Sequence, residues 1–196
     1  YMAENIFNRM AKKYDNEQRI ELANTVAAEV RKHLPADSNK TLIDYGCGTG
    51  LIGLQFTDYF KQLIFSDISE GMMEVVSEKI EAGNVKNAET RATDELDNNE
   101  ADVIIVSLVM LHVPEYKKLI KKLYTLLNDS GQLLIADFDK NESIYHEKVH
   151  NGFTHDEMHS ALIDAGFKSA DIKTFYHGEK VFMNKDASMF LASAEK

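Results

Sequence analysis

Residues 42–50 read LIDYGCGTG, and how this stretch is parsed decides the fold. A short apolar run carries an acid and leads to Gly46, Gly48 and Gly50 at alternate positions. Gly48, Gly50 and Gly53 also satisfy G-x-G-x-x-G, the pattern that lets a backbone approach a pyrophosphate. Glycines alone do not separate the two parses, because either gives a loop free of Cβ atoms between a strand and the next element. The surrounding chain has to separate them.

Working outward, TLIDY (41–45) reads as a short strand and residues 50–60 as the helix after it, with Leu51, Leu54 and Phe56 available for packing. QLIFSD (62–67) is a second strand, and Ser69 is suited to N-cap a helix to about Ala82. A weak strand falls at 87–91. ADVIIVS (101–107) and QLLIADF (132–138) are near-continuous apolar runs, the pattern of strands buried on both faces of a parallel sheet. Pro114 opens a helix to about Leu127. Thr154 and Glu157 make a capping box for a helix over 154–165, closed by Gly166. Strands near 170–177 and 187–194 leave no room for a helix between them and are expected to be antiparallel.

Before the glycine loop, residues 4–33 look helical. Ile6, Phe7 and Met10 share a face, and Ile20, Leu22, Val26 and Val30 continue after a break at Tyr14-Asp15-Asn16. Leu34-Pro35 ends the segment, since a residue before proline disfavours helix. Alternating strands and helices predict an α/β fold, a doubly wound seven-stranded, mostly parallel sheet with an antiparallel last strand and helices on both faces. One domain over 1–196 is expected, with 1–34 as an N-terminal helical cover. Residues 139–153, the longest stretch without a clear element, would be a lid-like connection.

Composition narrows the function. The net charge of −10 argues against nucleic acid, whose phosphates need clustered Lys and Arg. The one basic cluster, Lys117, Lys118, Lys121 and Lys122, has the spacing of a solvated helix face. No apolar run approaches the ~20 residues that span a membrane, and no secretory signal is visible. The single cysteine, Cys47, excludes an intramolecular disulfide and fits a reducing, cytoplasmic setting. In the glycine loop it reads as a small residue that lets a ligand come close.

The acids decide the parse. Asp44 precedes the loop, a poor neighbour for a pyrophosphate and a good one for an ammonium group. Asp67 ends the second strand, 19 residues after Gly48, where a carboxylate can accept the hydroxyls of a ribose. Asp94, in RATDEL, can accept a hydrogen bond from an exocyclic amine such as that of adenine. Ribose, adenine and a cationic amino-acid end together describe S-adenosylmethionine (SAM).

With that ligand in view, the chain resembles the class I SAM-dependent methyltransferases of the small-molecule branch, which includes quinone-biosynthesis-like enzymes. LIDYGCGTG is similar to their first motif and FSDISEGMM (65–73) to the ribose-acid segment. RATDEL is similar to the adenine segment, and ADVIIVSLVMLHVPE (101–115) to the fourth-strand motif. LLNDSGQLLIADFD (126–139), FTHDEMHSALIDAGF (153–167) and FNRMAKKYD (7–15) extend the likeness over nearly the whole chain. Asp129-Ser130-Gly131 stands where members often carry Pro-Gly-Gly, a change confined to a turn.

The resemblance implies backbone contacts from Gly46 and Gly48 to the methionine part, with Asp44 helping to fix its ammonium. Asp67 would hold the ribose hydroxyls. Ile68 and Met72 would pack on the adenine, and Thr93 and Asp94 would reach its amine edge. Ser107 would lie beside the methionine end, and Tyr14 would close over the cofactor. His112 would serve as a general base or orient the acceptor, while His150 and its neighbours would line the acceptor pocket. Plainer readings stand beside these: loop-fixing for Asp44, helix capping for Asp67, core packing for Ile68, Met72 and Tyr14, and a backbone-bonded loop histidine for His112. His146, His150, His155 and His159 are spaced i, i+4 in pairs, but no metal is expected, since a site needs further ligands.

The expected activity is methyl transfer from SAM to a small-molecule acceptor by direct displacement, leaving S-adenosylhomocysteine, in a monomer or homodimer without nucleic-acid or membrane partners. The competing functions are an NAD-dependent oxidoreductase, using Gly48, Gly50 and Gly53, and a SAM-binding protein without catalysis. Under the methyltransferase reading, Gly53 becomes a close-packing position in the helix that follows the loop.

Overall fold

A computed structural model describes residues 13–196. The face expected at Ile6, Phe7 and Met10, and FNRMAKKYD up to residue 12, lie outside the described residues. The strands form a seven-stranded sheet of order β3-β2-β1-β4-β5-β7-β6, mostly parallel, with helices around it. The chain divides into two compact units, Tyr1–Asp97 and Asn98–Lys196.

In the first unit, α1 (Glu17–Arg31) starts at Asn16, whose side chain accepts from the Arg19 N–H at 2.9 Å. The expected break before Asn16 is therefore a helix start fixed by a cap. The helix buries Ala23, Val26, Ala27 and Val30. β1 (Thr41–Tyr45) is buried throughout and pairs in parallel with β2 (Gln62–Ser66), which pairs in parallel with β3 (Ala88–Thr90). α2 (Glu70–Ala82) carries the expected Ser69 N-cap.

The helix expected over 50–60 is absent. A 3₁₀ turn at Gly53–Phe56 stands there between other turns. The physical reason is local: the Gly53 N–H donates to the Asp44 carboxylate at 3.1 Å instead of joining a helical ladder. Gly50, at φ +82°, is also outside helical backbone.

In the second unit, β4 (Ala101–Ser107) pairs in parallel with β5 (Leu127–Phe138), and α3 (Tyr116–Leu126) lies between them in sequence. β5 begins before the expected QLLIADF because Leu127 already pairs with Ala101. α4 (His155–Ala165) has both halves of the Thr154–Glu157 capping box and ends at Gly166 with φ +116°. β6 (Ser169–Phe182) and β7 (Lys185–Glu195) form the antiparallel hairpin, and β7 runs antiparallel to β5 as well. Among the described residues no helix is long and apolar enough to cross a membrane.

Candidate active site

The glycine loop is tied to the end of β2. The amides of Gly46 and Cys47 both donate to the Ser66 carbonyl, at 2.8 and 3.0 Å. Gly46, Gly48 and Gly50 all have positive φ, at +70°, +56° and +82°, a backbone that costs other residues about 1–2 kcal/mol. A Cβ on Gly48 would meet no protein atom within 4 Å, so glycine there serves the backbone turn and not packing. At Gly53 the reverse holds: a Cβ would lie 2.5 Å from Asp44 Oδ2 and 3.0 Å from the Phe65 ring. The close packing expected at Gly53 is present, but in a 3₁₀ turn and not in the expected helix.

Asp44 is buried, and its Oδ2 accepts from Gly53. Burial pushes its pKa up to about 7. The Gly53 hydrogen bond works against that shift, and the nearby Asp67 charge adds to it. Asp67 joins two elements. Its Oδ2 accepts from the Gly48 N–H and its Oδ1 from the Ser69 N–H, both at 2.9 Å. Each carboxylate oxygen has a second lone pair for a ligand hydroxyl. The next residue, Ile68, is 87% exposed, a large apolar side chain held out beside the carboxylate. Met72 is half-buried at the start of α2, and its N–H caps on Ser69 Oγ at 3.2 Å. Thr93 and the exposed Asp94 sit in a 3₁₀ turn after β3. Asp44, one residue before the end of β1, and Gly46, Gly48, Asp67, Ile68, Met72, Thr93 and Asp94, which follow strand ends, thus lie along three adjacent parallel strands. Cys47 is half-buried, and desolvation together with the charges of Asp44 and Asp67 raises its thiol pKa, which makes it a poor nucleophile.

A three-residue latch in the first unit was not expected. Lys79 Nζ donates to Asp15 Oδ2 at 2.6 Å and to the Thr49 carbonyl at 2.8 Å, and the Thr49 hydroxyl bonds Asp15. It fixes residue 15 to the glycine loop. Tyr14 is half-buried, with the Arg19 guanidinium 4.9 Å above its ring.

In the second unit, Ser107 ends β4 and is followed by Leu108 at φ +55°. Such strain in a residue other than glycine is concentrated at functional sites. A 3₁₀ turn, Met110–His112, comes next. His112 reaches solvent, yet partial desolvation of its ring holds its pKa below the ordinary histidine value. The connection over 140–152 contains no helix, so His146 and His150 do not share a helix face. His150 instead clasps the His112 turn. Its amide donates to the Leu111 carbonyl at 2.8 Å, and its Nε2 lies 2.9 Å from the Val113 carbonyl. Because a carbonyl only accepts, Nε2 carries the proton. The ring packs edge-on against Tyr116 and tilted against Phe153. His155 and His159 do lie on α4, but His155 turns to Asp139 (2.9 Å) and Thr174 (3.1 Å). Among the described residues no three His, Cys, Asp or Glu side chains form a metal site.

Asp137 also escaped the sequence reading, although a carboxylate inside QLLIADF was a visible signal. It is fully buried, accepting from Leu111 N–H at 3.3 Å and Phe138 N–H at 2.8 Å. Burial pushes its pKa up to about 7 against the pull of backbone hydrogen bonds from Phe138, Leu111 and Met110.

A doubly wound sheet with a glycine loop and strand-end acids over its first three strands defines a nucleotide-cofactor protein. Residues 16–169 match the methyltransferase-domain family, and the chain belongs to that family, with the class I, SAM-dependent fold. An uncharacterized methyltransferase of Schizosaccharomyces pombe is 27% identical over 158 residues, 69% of this chain and 56% of its own. A ubiquinone/menaquinone biosynthesis C-methyltransferase of Citrobacter koseri is 26% identical over 152 residues, 71% of this chain and 60% of its own. The chain therefore spans less than two thirds of these curated relatives. Among solved structures, a Haemonchus contortus phosphoethanolamine N-methyltransferase in complex with SAM superposes with a TM-score of 0.74. It shares 13% identity, and the match covers 96% of this chain and 59% of that one.

Proposed function

We propose that this chain binds SAM at the strand-end loops of its first unit and transfers the methyl group to a small-molecule acceptor. The observation that carries the reading is the pair of carboxylates flanking the glycine loop. A pyrophosphate there would face Asp44 and Asp67, whereas the ammonium and ribose of SAM turn both into partners. Asp67 accepts the ribose hydroxyls, and the exposed Ile68 with Met72 covers the adenine. Thr93 and Asp94 meet the adenine amine. Gly46 and Gly48 border the methionine part, and the Asp44 oxygen not engaged by Gly53 serves its ammonium. Tyr14, next to Asp15 of the latch, covers the cofactor.

The acceptor atom attacks the methyl carbon, the carbon–sulfur bond breaks, and the electron pair leaves on sulfur as neutral S-adenosylhomocysteine. Alignment of nucleophile, methyl and sulfur supplies most of the rate. A ring with a lowered pKa at His112 is neutral near pH 7 and suited to take the acceptor proton. His150 serves the acceptor side, with Nδ1 as its remaining acceptor atom. Calorimetry with SAM, S-adenosylhomocysteine and NAD tests the cofactor, and a methyl-transfer screen over small hydroxyl, amine, thiol and carbon acceptors tests the chemistry. SAM binding and turnover are expected; NAD binding without SAM binding refutes the reading.

A further inference from the structure

The Met110–His112 turn has no side-chain cap from its own leading residue, Val109. Its amides are served from another strand. Asp137, next to the last residue of β5, accepts from Leu111 and Met110 and also from its neighbour Phe138. The same turn is gripped from the opposite polarity by His150, which takes the Leu111 and Val113 carbonyls. Two side chains from distant parts of the second unit therefore bond the donors and acceptors on either side of His112, whose own ring reaches solvent but is partly desolvated.

A fully buried carboxylate is expensive to keep, and hydrophobic packing would serve stability as well or better. Its three backbone partners show what the cost secures, which is the position of one turn. We propose that Asp137 is a positioning residue for the methyl-transfer chemistry: its carboxylate holds the Met110–Leu111 amides and so sets where the His112 imidazole stands. Asp137 touches neither cofactor nor acceptor in this role. The inference rests on the methyltransferase reading for its meaning, and its test does not.

The variant is Asp137→Leu, which keeps the branched shape but removes both acceptor oxygens, so none of the three amides is met whatever the protonation state of the wild-type acid. The readout is the ring resonances of His112, assigned with His112→Gln, followed against pH by NMR. Released from its hold, the ring gains water, and its titration midpoint is expected to rise toward the ordinary value of ~6.5. A carboxylate that acted only through its charge would give the opposite sign, because losing a negative charge lowers a histidine pKa. A merely structural role would leave the midpoint unmoved. Either of those results overturns the proposal.

If the variant does not fold, the wild-type chain is measured for coupling across the hydrogen bond between the Leu111 amide nitrogen and the Asp137 carboxyl carbon. Coupling is expected, and its absence overturns the proposal. SAM calorimetry runs alongside, with affinity for the folded variant expected within about 3-fold of wild type. Failure of wild type to bind SAM sinks the functional reading instead, and leaves the His112 result standing on its own.

Discussion

Gly53→Ala puts the loop's internal support to a sharp test. The new Cβ would sit 2.5 Å from Asp44 Oδ2 and 3.0 Å from two atoms of the Phe65 ring. An ordinary carbon–oxygen contact is about 3.3–3.6 Å, so something must give by about 0.8 Å or more. Asp44 and Phe65 are both buried, and neither can swing into water. Moving the Asp44 carboxylate away breaks its 3.1 Å bond from the Gly53 N–H, a bond to a charged group worth about 1.5–3 kcal/mol. Crowding the Phe65 ring adds about 1–3 kcal/mol. Alanine's stiffer unfolded chain returns about 0.4–1 kcal/mol. The net loss is about 3 kcal/mol, which for a domain of this size lowers Tm by about 6–12 °C. Differential scanning calorimetry reads it directly. SAM affinity should fall as well, because Asp44 is displaced. A variant as stable as wild type, or more stable as at an ordinary solvent-facing glycine, refutes the packing argument and restores Gly53 to the dinucleotide parse.

Asp67→Ala removes the ribose partner and the anchor of the Gly48 amide together, and SAM affinity should fall about 100-fold or more by calorimetry; unchanged affinity removes Asp67 from the site. Lys79→Met unties Asp15 from the Thr49 carbonyl and should cost about 1–2 kcal/mol in urea unfolding with a several-fold weaker SAM affinity; a neutral result shows that the latch is incidental. Asp44 has its pKa raised to about 7, so SAM binding should tighten as the pH rises from about 5.5 to 7.5 and the carboxylate becomes available to the ammonium; a flat profile leaves Asp44 with the loop alone. Asp137, also raised to about 7, holds its proton more tightly folded than unfolded. Its contribution to stability is full below about pH 4 and is lost as the pH rises through about 7. The stability advantage of wild type over Asp137→Asn should therefore shrink by up to about 4 kcal/mol between pH 4 and 8, read by urea unfolding. A pH-independent difference contradicts the raised pKa.

The sequence by itself determined the elements whose signals are local. The α4 capping box, the Ser69 cap and the runs at 101–107 and 132–138 each carry their cause in neighbouring residues, and each was found at its expected place. The acids on which the choice between glycine parses rests are legible for the same reason, since they lie at short distances from strand ends. Only the tertiary structure decided what depends on a partner far along the chain. The helix expected at 50–60 fails because Asp44, nine residues earlier, takes the Gly53 amide. His150 grips the turn around His112 across 37 residues of sequence to Val113, a contact that spacing does not encode. Asp137 is a carboxylate within an apolar strand, and its partners, the amides of Met110 and Leu111, lie more than twenty residues away in sequence. Helix caps and strand patterns are short-range and legible, whereas a buried carboxylate is explained only by the donors that folding brings to it.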